Sequence, residues 1–244
     1  MFSISSSQYA RLTLAEKAVV DYLRENPQDA ARLSITELAE RSYTSPATVS
    51  RAIRKLGFSN ILEIRKEVSA QSAMDLQIGH VNDILKKSYE ECTRTIEEIR
   101  IPSILEIVQK IKSARKIYIL ARGITSLAAE EFEFLLQLQG YNSYLITDSS
   151  LMEKLDKLVT GQDLLVIFTV HNTTPEFVLA ARSLRPLGTK IVTLCCVRGT
   201  PLEELSDVIV YGHSLPIVNE NAFNSSSRIP LQILSRIIAE YLAL

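Results

Sequence analysis

The sequence predicts an all-α helix-turn-helix domain followed by an α/β domain with a five-stranded parallel sheet. Residues 1–70 show helical periodicity and helix-start signals, without the polar–apolar alternation that is typical of strands. In residues 116–211, short β-branched runs alternate with helical stretches, which is the order expected of a parallel sheet covered by helices on both faces. We therefore expect a first domain at 1–75, a helical connector at 76–104 and a second domain at 105–244.

The composition is that of an ordinary globular protein. Of the 244 residues, 46% are apolar, and 27 Lys and Arg stand against 28 Asp and Glu, which argues against a disordered chain and against a surface that is cationic throughout. No apolar run is long enough to cross a membrane and the N-terminus lacks a signal-peptide pattern, so we expect a cytoplasmic protein without a membrane partner. The cysteines Cys92, Cys195 and Cys196 are too few for a disulfide framework, and the adjacent pair is expected to pack in the core.

The N-terminal domain carries signals for three helices. Each begins at a capping residue, and the third has proline at its first position. The first helix should end near Asn26 and the third at Gly57, because glycine commonly follows helix ends. The three starts are Thr13 with Glu16, Ser34 with Glu37, and Ser45 with Pro46.

The second and third helices, joined by Ser42, Tyr43 and Thr44, form a helix-turn-helix pattern. In this pattern the later helix, here 46–56, lies in the major groove of DNA. The window 41–66 holds six basic residues and one acidic residue, whereas 8–40 holds four basic and six acidic, so the charge that binds phosphates is concentrated at this helix. The alternative is a helical bundle whose basic face is merely solvated. The candidate DNA-contacting residues are Ser45, Ala47, Thr48, Ser50, Arg51, Arg54 and Lys55, while Val49, Ile53 and Leu56 should pack inward.

Three motifs within 8–68 resemble the N-terminal domain of the RpiR-type, phosphosugar-responsive bacterial transcription regulators. The motif L-[ST]-x-x-E begins at Leu12, S-I-x-E-L-A begins at Ser34, and the most specific one, S-x-x-T-V-x-R-x-x-x-K-L-G-F, begins at Ser45. Ala52 departs from the family, which often has a larger residue there. The resemblance implies that the partner of this domain is a double-stranded DNA operator.

Five short runs in the C-terminal half are predicted strands, and helical stretches separate them. The strands are expected at Lys116–Ala121, Ser143–Ile146, Leu164–Thr169, Ile191–Cys195 and Val208–Tyr211. The helices are expected at 126–139, 149–158, 175–187 and 228–242. The last helix has more apolar residues than one buried stripe needs, so it serves either a subunit interface or packing on the sheet.

Three loops follow predicted strands and should lie at the carboxyl edge of the sheet, where ligands of such folds bind. They span 121–126, 169–175 and 195–201, and each holds a threonine at a helix start. Free backbone N–H groups and the positive end of the helix dipole suit a phosphate there. The alternative is that these threonines only cap their helices. They are Thr125, Thr174 and Thr200.

Residues 105–242 resemble the sugar isomerase (SIS) domain, a phosphosugar-binding fold. The family's G-x-G-x-S is represented by Ala121, Gly123 and Thr125, its S-x-S-G-x-T by Thr169, His171, Asn172 and Thr174, and its hydroxyl before Pro-Leu by Thr200. His171 replaces a serine, Thr173 replaces an acidic residue, and Asn172 replaces a glycine whose positive φ asparagine can adopt. The alternative to a working pocket is a domain that only oligomerises. The resemblance implies that a phosphorylated sugar or a related small anion binds Gly123, Thr125, Ser126, Thr169, His171, Asn172, Thr173, Thr174 and Thr200.

The loops provide no catalytic constellation. His171, Glu176 and Glu220 are the nearest candidates for the base that sugar isomerisation needs, but no nucleophile elbow or metal cluster accompanies them. We therefore expect no enzymatic activity, no cofactor and no metal. The predicted function is a DNA-binding regulator, a homodimer or homotetramer, that senses a sugar phosphate; the alternatives are a sugar-phosphate isomerase and a non-catalytic interaction protein. Arg228, in the segment 225–228 that opens the last helix, either belongs to a cap or reaches an anion.

Overall fold

The chain divides into two compact units, Met1–Tyr89 and Glu90–Leu244. In the described residues the first unit is helical, and the second contains a sheet with helices. The computed structural model describes residues 6–68, 73–172, 174–217 and 226–244.

The first unit is built of short helices around an apolar core. In chain order they are α1 (Ser6–Ala10), α2 (Leu14–Glu25), α3 (Pro27–Arg32), α4 (Ile35–Arg41), α5 (Pro46–Lys55) and α6 (Ile61–Val68). Both predicted capping boxes are confirmed: Thr13 N donates to Glu16 Oε2 at 2.8 Å, and Ser34 N donates to Glu37 Oε2 at 2.7 Å, with the reciprocal bonds present. The inward packing of Val49 and Ile53, predicted from spacing, is confirmed because both side chains are buried, and Leu56 packs half-buried against the same core.

Helix α3 is absent from the sequence prediction, which took Asn26-Pro27 only as the end of the preceding helix. Helix α2 does end at Glu25, with Asn26 as its C-cap. Pro27, however, is the first residue of α3, a position where its missing N–H has no helical partner to lose. The same proline therefore ends one helix and begins the next.

Helix α7 (Ala73–Glu98) begins in the first unit and ends in the second, where α8 (Ile101–Ser113) follows it. Two buried polar side chains of α7 bind the backbone of a late segment of the second unit. Glu91 Oε1 accepts a hydrogen bond from Leu215 N at 2.6 Å, and Thr95 Oγ1 accepts one from His213 N at 3.0 Å. The segment 212–217 is therefore fixed to α7.

The second unit folds, in its described residues, around a five-stranded sheet, as predicted. Its strands are β1 (Ile117–Leu120), β2 (Ser143–Ile146), β3 (Leu164–Phe168), β4 (Lys190–Cys195) and β5 (Val208–Tyr211). The spatial order is β2-β1-β3-β4-β5, and every neighbouring pair is parallel. The carboxyl ends of all five strands therefore lie at one edge.

Helices cover both faces of the sheet, because alternate strand residues point to opposite sides. Val166 and Phe168 of β3 pack against one helix layer, and Leu165 and Ile167 pack against the other. The first layer holds α8, α9 (Ser126–Leu138) and α13 (Ile229–Leu242); the second holds α10 (Ser149–Met152), α11 (Pro175–Leu184) and α12 (Pro201–Leu205). The α-helices predicted at 149–158 and 175–187 end early, at Met152 and Leu184, and short 3₁₀ turns follow.

Helix α13 packs on the sheet. Leu231, Leu234 and Ile238 are fully buried in the core between the sheet and the first helix layer. Of the two roles that its apolar residues suggested, packing thus accounts for these three.

Candidate functional site

The strand order creates a crevice at the carboxyl edge of the sheet. Strand β1 lies between β2 and β3, so the connections that leave β1 and β3 diverge to opposite faces. Ligands of open parallel sheets bind at such a switch point. The loop 121–126 follows β1 and the loop 169–175 follows β3, so two of the three predicted loops flank this crevice.

The first loop turns sharply at Gly123, whose φ of +56° favours glycine. A 3₁₀ turn, Gly123–Thr125, leads directly into α9, and Ser126 Oγ donates to Gly123 O at 2.8 Å. Thr125 stands at the N-cap of α9 with its side chain buried, but it makes no capping hydrogen bond. Its hydroxyl instead accepts a hydrogen bond from Arg228 Nε at 3.2 Å.

The second loop depends on Asn172. Its φ is +54°, which confirms that asparagine can take the place of a glycine here. The turn is closed by Asn172 N, which donates to Thr169 Oγ1 at 3.0 Å. Thr174 is the N-cap residue of α11, but its side chain makes no capping bond either. The predicted ligand residue Thr173 lies outside the described residues.

The third loop supports the second loop and holds its own acidic residue. Thr200 Oγ1 accepts a hydrogen bond from Asn172 Nδ2 at 2.8 Å, which joins the two loops. Gly199 N donates to Glu203 Oε1 at 2.7 Å, so a carboxylate of the chain already occupies the start of α12. This loop therefore supports the second loop, and Glu203 already compensates the start of α12, as Glu176 does that of α11.

The segment before α13 joins the first two loops. Ser226 Oγ lies 2.9 Å from His171 Nε2, and a terminal nitrogen of Arg228 donates to the carbonyl of Ser226. Because Arg228 Nε also binds Thr125, hydrogen bonds run from the first loop through this segment to the second. The sequence left two roles open for Arg228, a part of the cap of the last helix or a contact to an anion, and it did not include Ser226 among the candidate ligand residues. Glu220 and Ser225 lie outside the described residues.

Of the charged groups at this edge, Arg122 and Glu176 form an ion pair, whereas Arg228 bonds only uncharged oxygens. Arg122 Nη1 lies 3.0 Å from Glu176 Oε1 and also donates to Ser149 Oγ. A hydrogen bond from its own backbone N–H, together with Ser149 and Arg122, lowers the pKa of Glu176. Burial lowers the pKa of Arg228, but the pKa of a guanidinium is so high that the group stays charged.

Burial favours the neutral thiol form of both adjacent cysteines. Burial raises the pKa of Cys195 to about 11 and that of Cys196 to about 12, so both are neutral thiols, and neither forms a disulfide. Among the residues that the structure describes, no three His, Cys, Asp or Glu side chains are grouped to hold a metal ion. No described helix is long and apolar enough to span a membrane.

The predicted DNA-contacting face lies on α5 of the first unit. Ala47, Arg51 and Arg54 are exposed on it, and Ser50 is half-buried. Ser45 caps α5 by accepting from Thr48 N at 3.2 Å.

Two further candidate residues, Thr48 and Lys55, make contacts within the first unit. Thr48 is buried, and its hydroxyl accepts a hydrogen bond from Arg51 Nη2 at 3.3 Å. Lys55 Nζ lies 2.7 Å from Oε2 of the buried Glu16.

Comparisons with known proteins agree with both units. Residues 2–75 match the model of the helix-turn-helix domain of the rpiR family, and residues 110–236 match the model of the SIS domain. An uncharacterised HTH-type transcriptional regulator of Clostridium perfringens is 25% identical over 234 residues, covering 90% of this chain and 84% of the relative.

Solved structures show the same fold. The Vibrio vulnificus NanR protein complexed with ManNAc-6P is 22% identical, with a TM-score of 0.60, covering 97% of this chain and 88% of that one. A phosphoheptose isomerase from Francisella tularensis is 14% identical, with a TM-score of 0.55, covering 71% of this chain and 99% of that one. The two family models together match most of the chain, and they show that it belongs to the rpiR family of helix-turn-helix regulators with a SIS domain.

Proposed function

We propose that this chain regulates transcription by binding DNA through α5 and a phosphorylated sugar at the carboxyl edge of its sheet. The observation that carries the effector site is the chain of hydrogen bonds that links the start of α9, through Arg228 and Ser226, to His171 in the loop that follows β3. The ligand in the NanR complex, ManNAc-6P, is a phosphorylated sugar, which supports the same chemical class of effector here.

The starts of α9 and α11 favour a phosphate mainly through the positive ends of their helix dipoles, because several of their first N–H groups already have partners. Ser126 N donates to Gly123 O and Phe177 N to Thr174 O, while the Glu176 N–H bonds its own carboxylate. Thr125 and Thr174 make no capping bonds, so neither hydroxyl competes for the remaining N–H groups. The positive ends of the two helix dipoles point to the same edge, and an anion there gains from both. The effector's phosphate would therefore lie against the loops 121–126 and 169–175.

Asn172 provides an acceptor for the sugar. Its Oδ1 atom is buried and has no hydrogen-bond partner among the described atoms. Buried polar atoms are nearly always paired, so this acceptor is available to a donor from an ordered water or from a bound molecule. A sugar hydroxyl supplies such a donor, in agreement with a ligand that has both a phosphate and hydroxyl groups.

A regulator accounts for the site better than an isomerase. Proton abstraction at a sugar carbon needs a base whose pKa lies near neutrality. Glu176 is paired with Arg122 and has a lowered pKa, and the His171 ring is engaged with Ser226. These groups bind and position, and we propose that the chain does not catalyse the reaction of its structural neighbours.

The chain would act as a homodimer or homotetramer in the cytoplasm, where its DNA is. Operators of helix-turn-helix dimers have two half-sites about one helical turn apart. Helix α9 exposes Leu127, Phe134 and Leu138, spaced by seven and four residues on one helix face, and this supports association through α9. An effector that binds the two geometries of a dimer differently shifts the population between them and so changes DNA affinity.

A thermal-shift screen followed by calorimetry tests the effector class. We expect a sugar phosphate to raise the melting temperature of the full chain, since binding to the folded state stabilises it, and the matching unphosphorylated sugar to have little effect. Folded protein that binds no member of a broad panel of sugar phosphates would refute the proposal.

A further inference from the structure

Arg228 is a charged residue of the second unit whose charge nothing in the described chain neutralises. It lies at the N-cap of α13, a helix of 14 residues, and its side chain is half-buried. Its two hydrogen bonds go to uncharged oxygens, the hydroxyl of Thr125 and the carbonyl of Ser226. No carboxylate among the described side chains forms an ion pair with it, whereas the neighbouring Arg122 is paired with Glu176.

The two bonds fix the guanidinium and leave part of it available. A guanidinium has five N–H donors, and the bonds to Thr125 and Ser226 use the Nε group and one donor of a terminal nitrogen. The remaining donors form part of a planar fork that matches two oxygens of a phosphate or carboxylate. Because the fork is held by both loop and segment contacts, little side-chain entropy is lost when an anion binds.

The cost of burying this charge also points to a ligand. Burial disfavours a charged group unless an opposite charge compensates for it. The described part of the chain offers no such charge next to Arg228, although the first and second loops meet there through Thr125 and His171. A bound anion would supply the missing compensation.

We propose that Arg228 pairs directly with the anionic group of the effector and makes the site reject uncharged sugars. The inference rests on the proposed effector site and adds to it the residue that recognises the charge of the effector. The helix starts of α9 and α11 orient the anion, but a backbone N–H also binds neutral oxygens. The guanidinium provides the net charge that distinguishes an ester from its parent sugar.

The test is calorimetric titration of the full chain and of Arg228→Gln, which keeps a planar donor and removes the charge. The probes are glucose 6-phosphate, glucosamine 6-phosphate and N-acetylmannosamine 6-phosphate, each beside its unphosphorylated sugar. Arg236→Gln is the matched control, because Arg236 lies on the same helix, is exposed, and contacts Glu131 only at 3.9 Å. For the ester that binds, we expect Arg228→Gln to lower affinity about 10- to 100-fold, as charged hydrogen bonds predict, and Arg236→Gln to leave it unchanged.

The ratio of the affinity for the ester to that for the parent sugar distinguishes recognition of the charge from a purely structural role of Arg228. Arg228→Gln should bring the affinity for the ester close to that for the parent sugar, whose own affinity should stay constant. Arg228→Lys keeps the charge without the fork and should fall between wild type and Arg228→Gln. If Arg228→Gln does not fold, Arg228→Met is the uncharged variant, and its binding the ester with wild-type affinity overturns the inference. Wild type that binds an ester while Arg228→Gln binds it equally well overturns the inference alone. Wild type that binds none of the esters overturns the proposed function and the inference together.

Discussion

Lys55 is predicted to stabilise the first unit rather than only to bind DNA, and Lys55→Ala tests this. Its ammonium lies 2.7 Å from Oε2 of Glu16, whose side chain is 4% exposed, while that of Lys55 is 43% exposed. The same carboxylate accepts the capping bond from Thr13 N at 2.8 Å. Loss of Lys55 therefore leaves a buried carboxylate with one fewer partner.

The structure places the cost between two limits. Removing one partner of a fully buried pair costs roughly 3–5 kcal/mol, and exposed pairs contribute about 0–1 kcal/mol. Because one partner is buried and the other is nearly half exposed to screening by water, we expect Lys55→Ala to lower the unfolding free energy of the first unit by about 1–2 kcal/mol. Arg54→Ala is the matched control, since Arg54 is the exposed neighbour on α5, and it should change stability by less than about 0.5 kcal/mol.

Hydrogen-exchange mass spectrometry of the full chain in increasing urea measures the effect within α2 and α5. The pH dependence gives a second reading. The hydrogen bond from Lys55 and that from Thr13 lower the pKa of Glu16. The ionised Glu16 carboxylate therefore contributes to the unfolding free energy above its unfolded pKa of about 4.3, and this contribution is lost as the pH falls through its folded pKa. Equal stability of Lys55→Ala and Arg54→Ala at neutral pH would refute the reasoning.

Three further changes have defined outcomes. Asn172→Ala should lower the unfolding free energy of the second unit by roughly 1–2 kcal/mol, because alanine disfavours the φ of +54° and the hydrogen bond to Thr200 is lost. Asn172→Gly also loses that bond but tolerates the φ, so it should destabilise the unit less. Equal melting temperatures for the two variants would contradict this. Burial opposes ionisation of Asp163, but hydrogen bonds from Arg115 and Thr160 outweigh it and lower the pKa of Asp163. The ionised carboxylate therefore stabilises the fold above about pH 3.9, and this contribution is lost as the pH falls through the folded pKa. Arg115→Ala should make the melting temperature fall less steeply with decreasing pH than in wild type, and an unchanged pH dependence would contradict this. Arg51→Ala should weaken DNA binding and, if it contacts a phosphate, reduce the slope of log affinity against log salt by about 1; unchanged affinity across salt concentrations would argue against α5 as the recognition helix.

Local signals were sufficient for most of the fold. The capping boxes at Thr13 and Ser34 depend on residues three apart, and β2 and β5 have the predicted bounds because their apolar runs are bounded by turn residues. Asn172 was predictable because few residue types other than glycine tolerate its φ.

Long-range contacts within the site were not predictable from local pattern. Arg228 binds Thr125 across 103 positions, and Ser226 meets His171 across 55. Lys55 has the spacing of a DNA-contacting residue, but its partner Glu16 is 39 positions away. Such pairs depend on how helices, strands and loops pack together, and the local pattern of a single sequence does not predict that packing.

DNA binding by the full chain as a function of effector concentration tests the central claim most directly. The DNA would be the upstream region of the chain's own operon or a fragment selected from a random library, and affinity would be measured with a sugar phosphate and with its unphosphorylated sugar. We predict specific DNA binding whose affinity changes with the sugar phosphate and not with the parent sugar. Specific DNA binding that no bound sugar phosphate alters, or the absence of DNA binding by folded protein, would contradict the account.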